Sequence, residues 1–210
     1  MNFRYSLGEE IANAITHGIG ALLSVPALII LVIQAALKGT TLHIVSFSIF
    51  GVSMFLLYLF STLTHSITNE RAKKVMEFFD HSAIYVLIAG TYTPFIAIAL
   101  DGRIKYGLLG LVWGLAVAGI IFKIFFLDKF HFVSTILYLV MGWLIVFFIK
   151  PVYALLEGPG FVLLVAGGIF YSLGCVFYLW RLFPYHHMVW HLFVLAGSVC
   201  MYLCVLLYLI

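Results

Sequence analysis

Residues 12–37 read ANAITHGIGALLSVPALIILVIQAAL, a run without a single Asp, Glu, Lys or Arg. It is long enough to cross a bilayer as a helix, which takes roughly 20 mostly apolar residues. The run is continuous rather than alternating, so it does not fit a strand of a membrane barrel. Six further runs of the same kind follow, at about 42–66, 79–100, 105–126, 131–149, 161–181 and 186–209. Polar or Gly/Pro-bearing breaks separate them: KGTT, ITNERAKKVMEF, DGRI, DKFH, KPVYALLEGPG and LFPYH. The connection near Asp128 is very short. The expectation is an all-α, polytopic membrane protein, with residues 1–210 forming a single domain of seven transmembrane helices.

Composition supports this reading. Hydrophobic residues make up 65% of the 210, and only 9% are charged, against about 25% in an ordinary soluble domain. Mean hydropathy is +1.19. A soluble domain of this size must turn much of its area to water and cannot hide so much apolar surface. A soluble globular protein, a disordered chain and a nucleic-acid binder are excluded, and a net charge of +3 is too small to imply a polyanionic partner. Cys175, Cys200 and Cys204 fall inside apolar runs and read as small buried side chains, not as a disulfide frame or thiolate metal site. The opening MNFRYSLGEE does not fit a cleavable signal peptide.

Local chemistry marks the helix ends. Ser6-Leu7-Gly8-Glu9 fits a capping box, so the first helix is expected to begin near Glu9 on the membrane surface. Pro151 is expected to end the fifth span and Pro184 to sit in the first turn of the seventh, while Pro26 and Pro94 fall inside spans and are expected to kink them. Gly110 and Gly114 form a GxxxG pair, read as close helix packing. Alternate segments from the N-terminus carry Arg4; Arg71, Lys73 and Lys74; Lys123 and Lys129; and Arg181, seven in all. The other side carries Lys38, Arg103, Lys105 and Lys150, four in all. Positive charge favours the inside, so the N-terminus is expected in the cytoplasm and the C-terminus outside.

Ionisable groups within spans are costly, and each is a functional candidate. His65 closes the second span, Asp80 is expected in the first turn of the third, and His187 and His191 lie in the first two turns of the seventh. With this topology, three helices distant in sequence place those side chains in one layer near the cytoplasmic face. His187 and His191, at i and i+4, share a helix face about 6 Å apart along the axis, which suits two imidazoles holding one metal ion. A third histidine, His65, would complete three nitrogen ligands, and three protein ligands plus water is the open type of zinc site. Asp80 would either ligate or hold the water and take its proton. Ser61, one turn before His65, would reach Asp80 or that water.

Taken singly, these signals are weak. HxxxH recurs on helices without a metal, a serine in a helix often bonds back to its own backbone, and an Asp can be a helix cap. Their joint placement raises the metal reading above these alternatives. Glu10, Asn13 and His17 share a face of the first helix, which reads either as an outer shell or proton route for the site or as a polar packing patch. His186, His81, His43 and His131 are read as pointing away or interfacial.

Four segments together carry a resemblance: EEIANAITHGIGALLS (9–24), STLTHS (61–66), FDHSAIYVLIAGTYTPF (79–95) and PYHHMVWHLF (184–193). They resemble the bacterial hemolysin III proteins, which belong with the progestin and adipoQ receptor family in a superfamily that includes the alkaline ceramidases. The resemblance implies a seven-helix fold with Zn2+ near the cytoplasmic face. Its ligand histidines fall on His65, His187 and His191, its aspartate on Asp80, its serine on Ser61, and its first-helix pattern on Glu10, Asn13 and His17. The adipoQ-receptor members carry a long cytoplasmic N-terminal region; here fewer than ten residues precede the first helix, which argues against hormone reading by the same route.

Three functions are compatible with this pattern. One is a zinc-dependent hydrolase of amide or ester bonds in membrane lipids, with a ceramide-like amide suggested by the related enzymes; Asp80 would be the base and Ser61 would orient water. The second is a sensor or regulator of membrane state in which zinc is a structural staple. The third, a pore-forming hemolysin, has little support, because no separate amphipathic insertion segment is visible. The expected location is the bacterial cell (inner) membrane.

Overall fold

The computed structural model describes residues 5–127, 130–181 and 183–210. Among them the chain is helical throughout: α1 (Leu7–Lys38), α2 (Thr41–Ser66), α3 (Glu70–Ala99), α4 (Gly102–Phe126), α5 (His131–Gly142), a 3-10 segment (Trp143–Phe148), α6 (Ile149–Leu179) and α7 (His186–Tyr208). Seven stretches are long and apolar enough to cross a membrane; the fifth and sixth are His131–Leu156 and Gly158–Leu179. Arg4, Lys129 and the connection at Asp128 lie outside the described residues.

The helices close into a ring in chain order, with α7 returning to pack on α1, and α3 reaches inward to touch α2, α4, α5, α6 and α7. It is the most buried of the seven spans. The core is built from large side chains, among them Phe47, Phe50, Tyr58 and Phe95, while Leu22, Phe125, Phe147 and Leu207 point outward. Outward apolar side chains are costly in water and natural in lipid. Bilayer chains are as apolar as leucine, so close packing and satisfied polar groups hold such a bundle together. Gly90 shows how close α2 and α3 come: a Cβ there would lie 2.2 Å from the Ser53 hydroxyl. Gly20 likewise lets α1 settle on Tyr58 of α2, where a Cβ would lie 2.7 Å from the ring.

Four local expectations change. α3 begins at Glu70, nine residues before the apolar run starts at 79, because Asn69 caps it by accepting from the Arg71 and Ala72 amides. A helix of 30 residues is about 45 Å long, more than the ~30 Å hydrocarbon core. Its charged first turns therefore extend past the core, and Asp80 lies ten residues into the helix instead of in its first turn. Pro151 does not end a helix; it lies in the first turn of α6, where a missing N–H breaks no intrahelical bond. Helical structure then runs on through Pro159, across the stretch expected to be irregular. Pro184 precedes α7, which starts after Tyr185 in the left-handed region at φ 61°. Finally, nothing lies within 4 Å of a Cβ built on Gly110 or Gly114. That face of α4 is not a packing face; Val112, Ala116 and Gly119 carry its buried side.

The switch from α5 to the 3-10 segment has a specific support. The Tyr92 hydroxyl donates to the Gly142 carbonyl at 2.7 Å and accepts the Ile145 amide at 2.8 Å. A broken helix inside a membrane must have its freed backbone groups satisfied by protein, and a tyrosine of α3 does that here.

Candidate metal centre

His65 arrives at the last turn of α2, and His187 and His191 at the first two turns of α7. All three are buried, and one ligand atom from each lies within 4.8 Å of the others, so the group can hold a metal ion. Ring centroids are 5.0 Å apart for His65–His187, 5.3 Å for His65–His191 and 4.6 Å for His187–His191.

The two nitrogens of each ring are treated differently. His65 Nδ1 meets a Glu10 carboxylate oxygen at 2.6 Å. His191 Nδ1 meets the Asn13 main-chain carbonyl at 3.2 Å and the Thr16 hydroxyl at 3.1 Å. A carboxylate and a carbonyl can only accept, so in both rings the proton sits on Nδ1 and the lone pair on Nε2. His187 Nδ1 meets the Tyr5 hydroxyl at 2.9 Å. The three Nε2 atoms are buried without a hydrogen-bond partner. A buried polar atom left unpaired costs roughly 1–3 kcal/mol, and three converging lone pairs are the donor set that a divalent metal removes from this penalty. The residues present thus fit a bound metal ion.

The first helix supplies the surroundings. Its capping box forms as expected: the Ser6 hydroxyl accepts the Glu9 amide and the Glu9 carboxylate accepts the Ser6 amide. Glu10 accepts from His65 and also pairs with the Lys73 ammonium, which approaches from α3. Asn13 acts through its backbone, and its side-chain amide atoms have no partner. His17 stacks face to face on His191, with centroids 3.4 Å apart and planes 9° apart. Both of its ring nitrogens are buried and unpartnered.

Asp80 is buried on α3 but is not a member of the three-histidine group. Ser61 is fully buried beside it, and its hydroxyl makes no bond back to its own helix, although those of Thr62, Thr64 and Ser66 do. Asp80 and His17 are among the residues that line a cavity of about 170 Å³, whose walls include Leu87, Ile145, Val165 and Trp190. His186 and His81 turn to backbone carbonyls of Phe177 and Glu77, outside the group.

Sequence reasoning missed Tyr5, Thr16 and Lys73 as neighbours of the site. Lys73 was legible only as loop charge. Lys123, counted the same way, lies buried within α4. For Tyr5 there was no signal, since it precedes the first helix. Burial raises its phenol well above the ordinary value.

A family described as "Haemolysin-III related" matches residues 5–202. The chain is 59% identical over 204 residues to the Hemolysin-3 homolog of Bacillus subtilis (strain 168), covering 97% of this chain and 96% of that one. It is 60% identical over 200 residues to Hemolysin-3 of Bacillus cereus, covering 95% and 91%. More distantly, it is 27% identical over 210 residues to the Monocyte to macrophage differentiation factor of Homo sapiens, covering 96% and 84%.

Proposed function

The chain belongs to the haemolysin-III-related family of multi-pass membrane proteins, and on that premise we propose that it is a zinc-dependent hydrolase of amide or ester bonds in membrane lipids. The observation that carries this reading is the set of three buried, unpartnered Nε2 atoms on His65, His187 and His191. Zinc in a three-nitrogen site supplies polarisation of a carbonyl and a lowered pKa for its water.

The chain's own residues do the rest. Glu10 and the Asn13 carbonyl orient two of the ligand rings through Nδ1. Asp80 lies outside the ligand group and lines the cavity, so its carboxylate oxygen takes the proton from the attacking water. The Ser61 hydroxyl, next to Asp80 and free of its own helix, donates to that carboxylate or to the reacting oxygen. The apolar walls of the cavity receive the acyl part of the lipid and exclude bulk water. The cluster lies toward the cytoplasmic leaflet, as the Lys and Arg distribution indicates.

The test uses purified, zinc-loaded protein and a panel of lipid amides and esters that includes ceramides. Turnover by the wild type, with Asp80→Asn keeping its zinc but losing at least 100-fold in rate, is the expected result. A zinc-loaded wild type inert on the whole panel would sink the hydrolase. If chelation then also lowered the melting temperature sharply, zinc would be a staple between α2 and α7, the regulator reading. The name hemolysin belongs to the relatives; a pore here would need dye release from liposomes at low protein-to-lipid ratio.

A further inference from the structure

All three candidate ligand rings are held at Nδ1 by oxygens from one short stretch of chain: Tyr5 for His187, Glu10 for His65, and the Asn13 carbonyl for His191. Glu10 and Asn13 belong to α1. Tyr5 does not; it precedes the helix and folds back over the cluster. Its ring centroid lies 4.9 Å from His187, 6.0 Å from His65 and 5.9 Å from His186. It is not among the residues that line the cavity, which borders the cluster through His17 and Trp190. Tyr5 thus covers part of the histidine group from outside the cavity lining.

The fold clamps this cover in place. Glu9 Oε1 accepts the Tyr185 amide at 3.0 Å, immediately before α7 begins. Gly8 lets the Tyr185 ring come close; a Cβ there would lie 2.9 Å from its hydroxyl oxygen. The start of α1 is therefore fastened to the start of α7, the helix that carries two of the three histidines.

We infer that Tyr5 is a positioning residue of the metal centre: its hydroxyl holds the His187 ring with Nε2 directed at the metal, and its ring closes the centre so that metal leaves only when this N-terminal segment lifts. The inference rests on the metal-site reading above. With Nε2 reserved as a lone pair, Nδ1 carries the proton and donates to the phenolic oxygen. Such outer partners change metal affinity by roughly 10–100-fold when removed.

The experiment compares wild type, Tyr5→Phe, Tyr5→Ala and a control on an exposed tyrosine, Tyr106→Phe, all in detergent. Each is loaded with Zn²⁺, and release to excess EDTA is followed with a colorimetric zinc indicator. Each is also loaded with Co²⁺ for its visible spectrum. The expected result is about 10-fold faster zinc release for Tyr5→Phe, faster still for Tyr5→Ala, and an unchanged rate for Tyr106→Phe. Tyr5→Phe should also shift the cobalt bands while leaving the melting temperature of the metal-free protein at the wild-type value, which a merely structural tyrosine would not do. Wild-type release kinetics and an unchanged cobalt spectrum in Tyr5→Phe would overturn the inference while leaving the metal site standing. A wild type that takes up neither metal would overturn the metal-site reading itself, and this inference with it.

Discussion

Each candidate ligand histidine commits one ring nitrogen to the protein and leaves the other buried and unpaired. This asymmetry separates a metal centre from a polar packing patch, in which both nitrogens would find partners. It gives two predictions at the residue scale. Protein purified without chelator should hold about one zinc per chain, and the His187→Ala/His191→Ala double variant almost none, by mass spectrometry of bound metals. Glu10→Gln keeps an oxygen near His65 Nδ1 but removes the charge that raises the ring's basicity, and it leaves Lys73 without its carboxylate. Zinc affinity, read by competition with a chelator, should fall roughly 10–100-fold. An unchanged affinity would make Glu10 a packing residue. His17, stacked on His191 with two unpaired nitrogens, shows that the face shared by Glu10, Asn13 and His17 is not uniform: one residue acts by charge, one by backbone and one by ring contact.

Elements in this bundle are placed by close approach and by local repair of broken backbone. Gly90 against Ser53 draws α3 onto α2, the pair of helices that carry Asp80 and Ser61. The break between α5 and the 3-10 segment survives because Tyr92 satisfies both a carbonyl and an amide that the break releases. Tyr92→Phe removes both bonds and keeps the ring, leaving backbone groups unpaired in an apolar setting. It should destabilise the protein by about 1–3 kcal/mol, seen as a lower melting temperature in detergent with zinc content unchanged. The 3-10 segment contributes Ile145 to the cavity wall, so on the proposed hydrolase function the rate of lipid cleavage should move as well. A variant as stable as wild type would mean that water or a rearranged α5 replaces the tyrosine.

The molecule as a whole gathers His65, His187 and His191, the N-terminal segment and the α2–α3 and α6–α7 connections at one end of a closed ring. Orientation then decides which compartment the metal centre faces. With the three native cysteines replaced, a single Thr68→Cys beside the cluster should resist a membrane-impermeant maleimide in intact cells, and Thr40→Cys at the opposite end should react. The reverse pattern would put the centre on the outer face and invert the leaflet from which a lipid reaches it.

Seven spans and the three histidines were legible in the sequence because both depend on short-range patterns. A continuous apolar run has one good solution in a bilayer, and i, i+4 spacing on a helix fixes which side chains share a face. Alternating topology then brought His65 to the same end as His187 and His191. What depends on how helices meet was not legible. Asp80 was expected in a first turn, but Asn69 starts α3 earlier, so Asp80 lies ten residues into the helix, where it lines a cavity and is not one of the three grouped histidines. Gly110 and Gly114 look like a packing motif, yet only the helix rotation shows that they face open space. Tyr5 and His187 are 182 positions apart, and no local rule pairs them. Chain composition and periodicity determined a seven-helix membrane protein with a histidine layer. The choice of nitrogen on each ring, the oxygens that hold it and the cover over the centre were decided by the tertiary structure, because each is a contact between segments whose separation in sequence carries no information about their distance in space.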